Sequence, residues 1–272
     1  METTARVTPR TVIGIVLAIF LLFPVYWMVN SSLQGNENLL ETTWFPFDID
    51  LRGYQLAIES QLPHLVTSLI VSLGAVIVCL AIAAPAAYGL SRVNIPIPGI
   101  GLFVIALVIT QMIPGIVIAN GLFPIYNSVG LVNTYPGLIL ADASHGIPFC
   151  ILLIRAFMVN IPSSLVEAAR IDGANEFRVF TSIVLPISRN SLATAAVFAF
   201  LFAWSDFLFA LTLTSTGDVV PITLSMYQFV GAHTQSWAAL MATATLASIP
   251  AAFLLIVAQK YIASGVTGGA VK

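Results

Sequence analysis

The chain has 272 residues, of which 58% are apolar and 8% charged, with a formal net charge of −2. That balance leaves too little polar surface to enclose a water-soluble fold of this size, and it offers no basic excess for nucleic acid. Lipid is therefore the medium for most of the chain; a span needs about 20 apolar residues, so several crossings fit and a large soluble domain does not.

The first apolar run, Val12 to Val29, follows Arg6 and Arg10 as a leader would. It exceeds the roughly 7–15 residues of a signal-peptide core and reads as a retained span. Hydropathy predicts six crossings over Thr11 to Asn30, Pro63 to Leu90, Gly99 to Leu122, Tyr135 to Met158, Ser191 to Thr214 and Trp237 to Tyr261. The expectation is an all-α integral membrane protein forming a single domain over residues 1–272.

Alternate connections hold Arg6, Arg10, Arg92, Arg155, Arg170, Arg178, Arg189, Lys260 and Lys272 on one side, leaving only Arg52 on the other. Short cytoplasmic loops are enriched in Lys and Arg, which places both termini in the cytoplasm and Gly35 to Leu62 outside. Trp44, Phe45 and Phe47 then read as an interfacial aromatic belt. Cys79 and Cys150 lie in apolar runs as small core residues, without the spacing of a metal or disulfide framework. No metal site is expected.

The most charged stretch is residues 160–190, which has no apolar run long enough to cross. Ser164 and Glu167 form a capping-box pattern that predicts a short helix to about Asp172. Gly173 permits the left-handed turn that closes a helix, and Asn175 can cap a second one carrying Phe177, Phe180, Ile183 and Val184 until Pro186 ends it. Two short helices with an elbow result, a pattern that a surface-lying amphipathic element would also give.

The run Glu167-Ala168-Ala169, three residues, Gly173, nine residues, then Ile183-Val184-Leu185-Pro186 resembles the EAA signature of binding-protein-dependent ABC importer permeases. The layout is similar to the shorter permease subunit of maltose-type carbohydrate importers. The resemblance implies a type I importer fold in a bacterial inner (plasma) membrane. It implies a second, different permease, two ATPase subunits and an extracytoplasmic solute-binding protein as partners. It also implies that the elbow docks on the ATPase through Glu167, Ala168, Ala169, Arg170, Asp172, Gly173, Phe177, Phe180, Leu185 and Pro186. Phe177 and Phe180 would serve as anchors, with Glu167, Arg170, Asp172 and Arg178 fixing orientation.

A phosphate-cradling loop needs Gly-Lys followed by Ser or Thr, and neither Lys260 nor Lys272 stands in that context. The chain reads as a transport subunit rather than an enzyme, with no cofactor of its own and with ATP and Mg bound by the partner. The last residues, 263–272, read as a flexible tail, and their resemblance to maltose-type permeases implies a contact between ATPase subunits.

Asp142 and His145 share a face of the fourth span, and Asp206 lies in the fifth. Charge in a membrane is costly, so these groups face protein, water or a pathway; with Asn120 they are the candidates for the substrate path. Interhelical hydrogen bonding explains Asp142 and His145 equally well and Asp206 better. The stretch Ser215 to Ser236 resembles the loop that such permeases present to the binding protein, with Tyr227, Gln228, His233 and Gln235 as candidate contacts. The alternative is an ion-coupled secondary transporter using Asp142, His145 and Asp206.

Overall fold

The computed structural model describes residues 9–35, 42–91, 99–214, 217, 219–232 and 236–267. Helix follows helix: α1 (Pro9–Ser32), α2 (Arg52–Ser91), α3 (Ile100–Thr110), α4 (Gly115–Ser128), α5 (Tyr135–Met158), α6 (Ser163–Ile171), α7 (Glu176–Val179), α8 (Leu185–Ile187), α9 (Arg189–Trp204), α10 (Leu208–Leu213), α11 (Ile222–Ala232) and α12 (Trp237–Thr267). A π-helical turn, Phe180–Val184, joins α7 to α8. Among the described residues there is no strand, only an isolated bridge between Gln34 and Asp50.

Four helices are long and apolar enough to cross a membrane, or up to six if each of two bent pairs counts as one span. The predicted third span is one of these pairs, α3 and α4, bent by 96°. Pro114, with ψ at 133°, restarts the chain after Gln111–Ile113 and has no N–H with which to continue α3. The predicted fifth span is also interrupted, at Ser205–Phe207, and α9 meets the preceding helical segment at 78°. α2 begins at Arg52, well before Pro63, because hydropathy registers only the part of a helix that lies in hydrocarbon.

Two further expectations are corrected. The stretch read as an external loop, Ser215 to Ser236, contains α11. Gly265, read as part of a loose tail, lies in α12, which continues to Thr267; residues 268–272 are outside the described set.

The chain forms two compact units, Met1–Leu62 with Met226–Ile249, and Pro63–Ser225 with Pro250–Lys272. In the first, the start of α2 approaches α12 so closely that a Cβ on Gly53 would come 2.9 Å from the Ala238 carbonyl carbon. Gln34 holds Thr43 by its side-chain amide, donating to the Thr43 carbonyl at 2.8 Å and accepting from the Thr43 N–H at 2.8 Å. Trp44 packs edge-on to Trp27, with centroids 5.6 Å apart, yet stays 65% exposed, and Phe47 is 85% exposed. α1 shows apolar side chains outward along its length, from Val12 to Tyr26, a surface that needs lipid or another subunit.

The second unit packs α2, α5 and α9 through small residues: Ala75, Cys79, Ala83 and Ala87 meet Ala143 and Cys150, and Ala195, Ala199 and Ala203 complete the cluster. Small side chains let helix backbones come close, which is how helices associate where lipid offers no hydrophobic drive. Both cysteines are buried and free, with the Cys79 thiol donating to the Ala143 carbonyl at 3.5 Å. The same core takes Ile161, Val166, Ala169, Val179 and Val184, so the short helices after α5 are fixed to the spans by their apolar underside.

Candidate functional site

Two places in the second unit gather the predicted residues. The first is the elbow. α6 starts at Ser163, with Pro162 in the cap position and no side-chain cap, so Ser164 is already helical and the expected capping box does not form. Pro162 sets the start instead, its fixed φ of −56° being suited to the entry of a helix. The turn is as expected: Gly173 has φ +83°, its N–H donates to the Arg170 carbonyl at 3.0 Å, and the Ala174 N–H donates to the Ala169 carbonyl at 2.9 Å. This pair of bonds is the Schellman closure, completed by apolar contact at Ala169 and Ala174. Asn175 caps α7, accepting from the Arg178 N–H at 2.8 Å.

Pro186 does not end the second arm. The chain widens into the π-helical turn just before it and bends only at Ser188, whose N–H reaches the Val184 carbonyl at 2.9 Å. A π turn shifts the hydrogen-bond register, which accommodates the donor that proline lacks.

The elbow has two faces. Val166 and Ala169 are buried below, whereas Glu167, Ala168, Arg170, Asp172 and Gly173 are exposed. Phe177 is 75% exposed and Ile171, which the sequence reading passed over, is 86% exposed. Phe180 turns inward, its ring 5.2 Å from that of Tyr88 at the end of α2. Leu185 is half-buried and Pro186 exposed. Ala169, Asp172, Ala174, Arg178, Ser182 and Ile183 line a cleft of about 210 Å³ between the arms. Arg170 donates to Glu176 at 2.7 Å, and this bond raises the pKa of the guanidinium further.

The second place is where the two broken spans meet. A cavity of about 340 Å³ is lined by Gly115, His145, Phe202, Ser205, Asp206, Phe207, Leu208 and Phe209. Gly115 opens α4 at this point, and a Cβ there would already touch Leu208 at 3.4 Å. Asp206 accepts from the N–H groups of Phe209 at 3.3 Å and Ala210 at 3.1 Å, so its carboxylate caps α10. His145 packs edge-on to Phe202 and Phe209, and its Nδ1 is buried without a hydrogen-bond partner. Phe149 lies 5.2 Å from both Phe198 and Phe202, extending the aromatic wall; the i, i+4 spacing of His145 with Phe149 and of Phe198 with Phe202 was the signal available for it. Asp142 is 5% exposed on α5 and Asn120 is exposed on α4, and neither lines the cavity. Tyr227 is exposed on α11, which also contains Gln228; His233 and Gln235 lie outside the described residues.

Capping gives a graded expectation for Asp206. Asp206→Ala should lower the stability of the detergent-solubilised protein by about 0.5–2 kcal/mol, and Asp206→Asn, which keeps an acceptor, by less. Thermal unfolding checks the order; equal losses would deny the cap.

Residues 101–268 match the family described as binding-protein-dependent transport system inner membrane component. The chain belongs to this family. The permease is 30% identical to the trehalose transport system permease protein SugB of Mycobacterium tuberculosis, over 98% of both chains. It is also 30% identical to the diacetylchitobiose uptake system permease protein DasC of Streptomyces coelicolor, over 98% of this chain and 97% of that one. Its fold matches a chain of a bacterial ABC transporter involved in the import of the acidic polysaccharide alginate, with a TM-score of 0.78, 22% identity and coverage of 96% of the permease and 98% of that chain.

Proposed function

We propose that the permease is one of two different membrane-spanning subunits of an ATP-driven importer that carries a sugar delivered by an extracytoplasmic binding protein. Six spans with both termini cytoplasmic fit the distribution of Lys and Arg, and a bacterial inner membrane is the setting. ATP and Mg are bound by two separate ATPase subunits, which dock on the elbow. The observation that carries the reading is the elbow itself: a capped, Gly173-centred turn fixed to the spans below and presenting Phe177 and Ile171 above. Movement of the ATPases would be delivered through it to the spans.

A sugar as cargo is supported by the relatives named for trehalose and diacetylchitobiose uptake. The cavity at the two helix breaks suits such a cargo. Aromatic rings of Phe202 and Phe209 offer flat apolar contact, and the exposed Ser205 offers a hydrogen bond to hydroxyls. Asp206 forms the floor by holding α10 rather than by taking cargo.

The test is uptake of a labelled disaccharide into vesicles containing the reconstituted importer. Uptake should stop when ATP is removed and continue when the proton gradient is collapsed. Dependence on the gradient instead would favour an ion-coupled carrier and overturn the reading.

A further inference from the structure

We propose that Glu176 is a positioning residue that clamps the elbow to the end of α2, making α2 a direct recipient of the ATPase movement; the inference rests on the importer reading above. One Glu176 oxygen, Oε1, accepts from Arg170 Nε at 2.7 Å. The other, Oε2, accepts from the Tyr88 hydroxyl at 3.1 Å. A single carboxylate at the start of α7 thus joins α6, through Arg170, and α2, through Tyr88, across the Gly173 turn. Phe180 packs on the Tyr88 ring as a second contact between the elbow and α2, and Arg155 at the end of α5 donates to the Leu90 carbonyl at 3.0 Å, tying α5 to the same end of α2.

Stability does not account for this arrangement. The Arg170 and Glu176 side chains are 40% and 59% exposed, and ion pairs in such settings contribute little to folding. The elbow is already anchored by Val166, Ala169, Val179 and Val184. The apolar anchor, in which Val179 shares a core with Ala83 and Ala87 of α2, holds α7 to the spans; the two oxygens add the directional contacts that set the angle between the arms. A permease without the clamp folds and docks, but part of the ATPase stroke is absorbed at the turn instead of reaching α2.

The experiment uses the complete importer in proteoliposomes, with ATP hydrolysis and uptake of a labelled disaccharide measured together. Tyr88→Phe and Glu176→Gln should each lower uptake per ATP by roughly 3- to 10-fold, the range of a single hydrogen bond, with the ATPase still copurifying. The double variant should lose no more than the worse single one, because both changes break one link. Unchanged uptake per ATP in the single variants, or multiplied losses in the double, would overturn the clamp. So would release of the ATPase by Glu176→Gln from a normally inserted permease, which would place Glu176 in the docking face. Tyr88→Phe removes one oxygen from outside the elbow and decides the matter alone if Glu176→Gln fails to insert. A wild-type complex without ATP-dependent uptake would bring down the importer reading, an outcome separate from all of these.

Discussion

Replacing Phe177 with aspartate should release the ATPase from the affinity-purified complex while leaving the permease inserted and folded. Phe177 is 75% exposed on α7, so most of its ring lies outside the packing of the chain. An aromatic group of this size held in water is a candidate anchor, since association concentrates its energy in a few desolvated side chains, each worth about 2 kcal/mol or more. A carboxylate at the same place would have to be desolvated without a partner, adding to the loss. Ile171→Asp should act in the same direction. Phe180→Asp should behave differently, harming the permease itself, because that ring packs on Tyr88 and the core. ATPase retained on the tagged permease is the measurement, and undiminished retention with Phe177→Asp would remove the ring from the docking face.

The contrast between Phe177 and Phe180 shows what the sequence carried and what it withheld. Periodicity grouped the two rings on one helix, and local rules located the turn at Gly173 and the cap at Asn175, since each depends on residues within a few positions. Which ring points outward depends on Tyr88, 92 positions before Phe180 (180 − 88), and no local rule reaches that far. The start of α6 failed for a nearer reason: Ser164 and Glu167 satisfy the capping pattern, but Pro162 had already fixed where helical backbone begins.

The spans show the same division. Hydropathy averaged over about 20 residues finds apolar segments and is blind to a break of three or four residues inside one. Hydropathy alone therefore gives α3 with α4, and α9 with α10, as single crossings, although Pro114, a residue whose missing N–H can kink a span, and Asp206 stand at their breaks. Asp206 was weighed as an interhelical bonding group and is a capping group within its own segment. The cavity exists because both breaks fall at the same place, and that coincidence is a tertiary fact.

At Gly173 the expected order of substitutions is Asn nearest to wild type, then Ala, then Val, with most uptake lost at Val while ATP hydrolysis continues. The backbone there has φ +83°, and a Cβ built on it would meet nothing within 4 Å. Bulk is thus no obstacle, and the cost is conformational: roughly 1–2 kcal/mol for an L-residue held in this region, less for Asn and more for a β-branched side chain. If φ relaxes to a negative value, the bonds from Gly173 to Arg170 and from Ala174 to Ala169 cannot both persist, and α7 swings away from α6. The loss would then appear in uptake, roughly tenfold for Val, rather than in assembly. A steric account ranks by volume and places Asn below Ala; a conformational account places it above. Uptake by the three variants, normalised to ATP hydrolysed, decides between them, and Asn falling below Ala would show that the left-handed turn is not what couples the elbow to the spans.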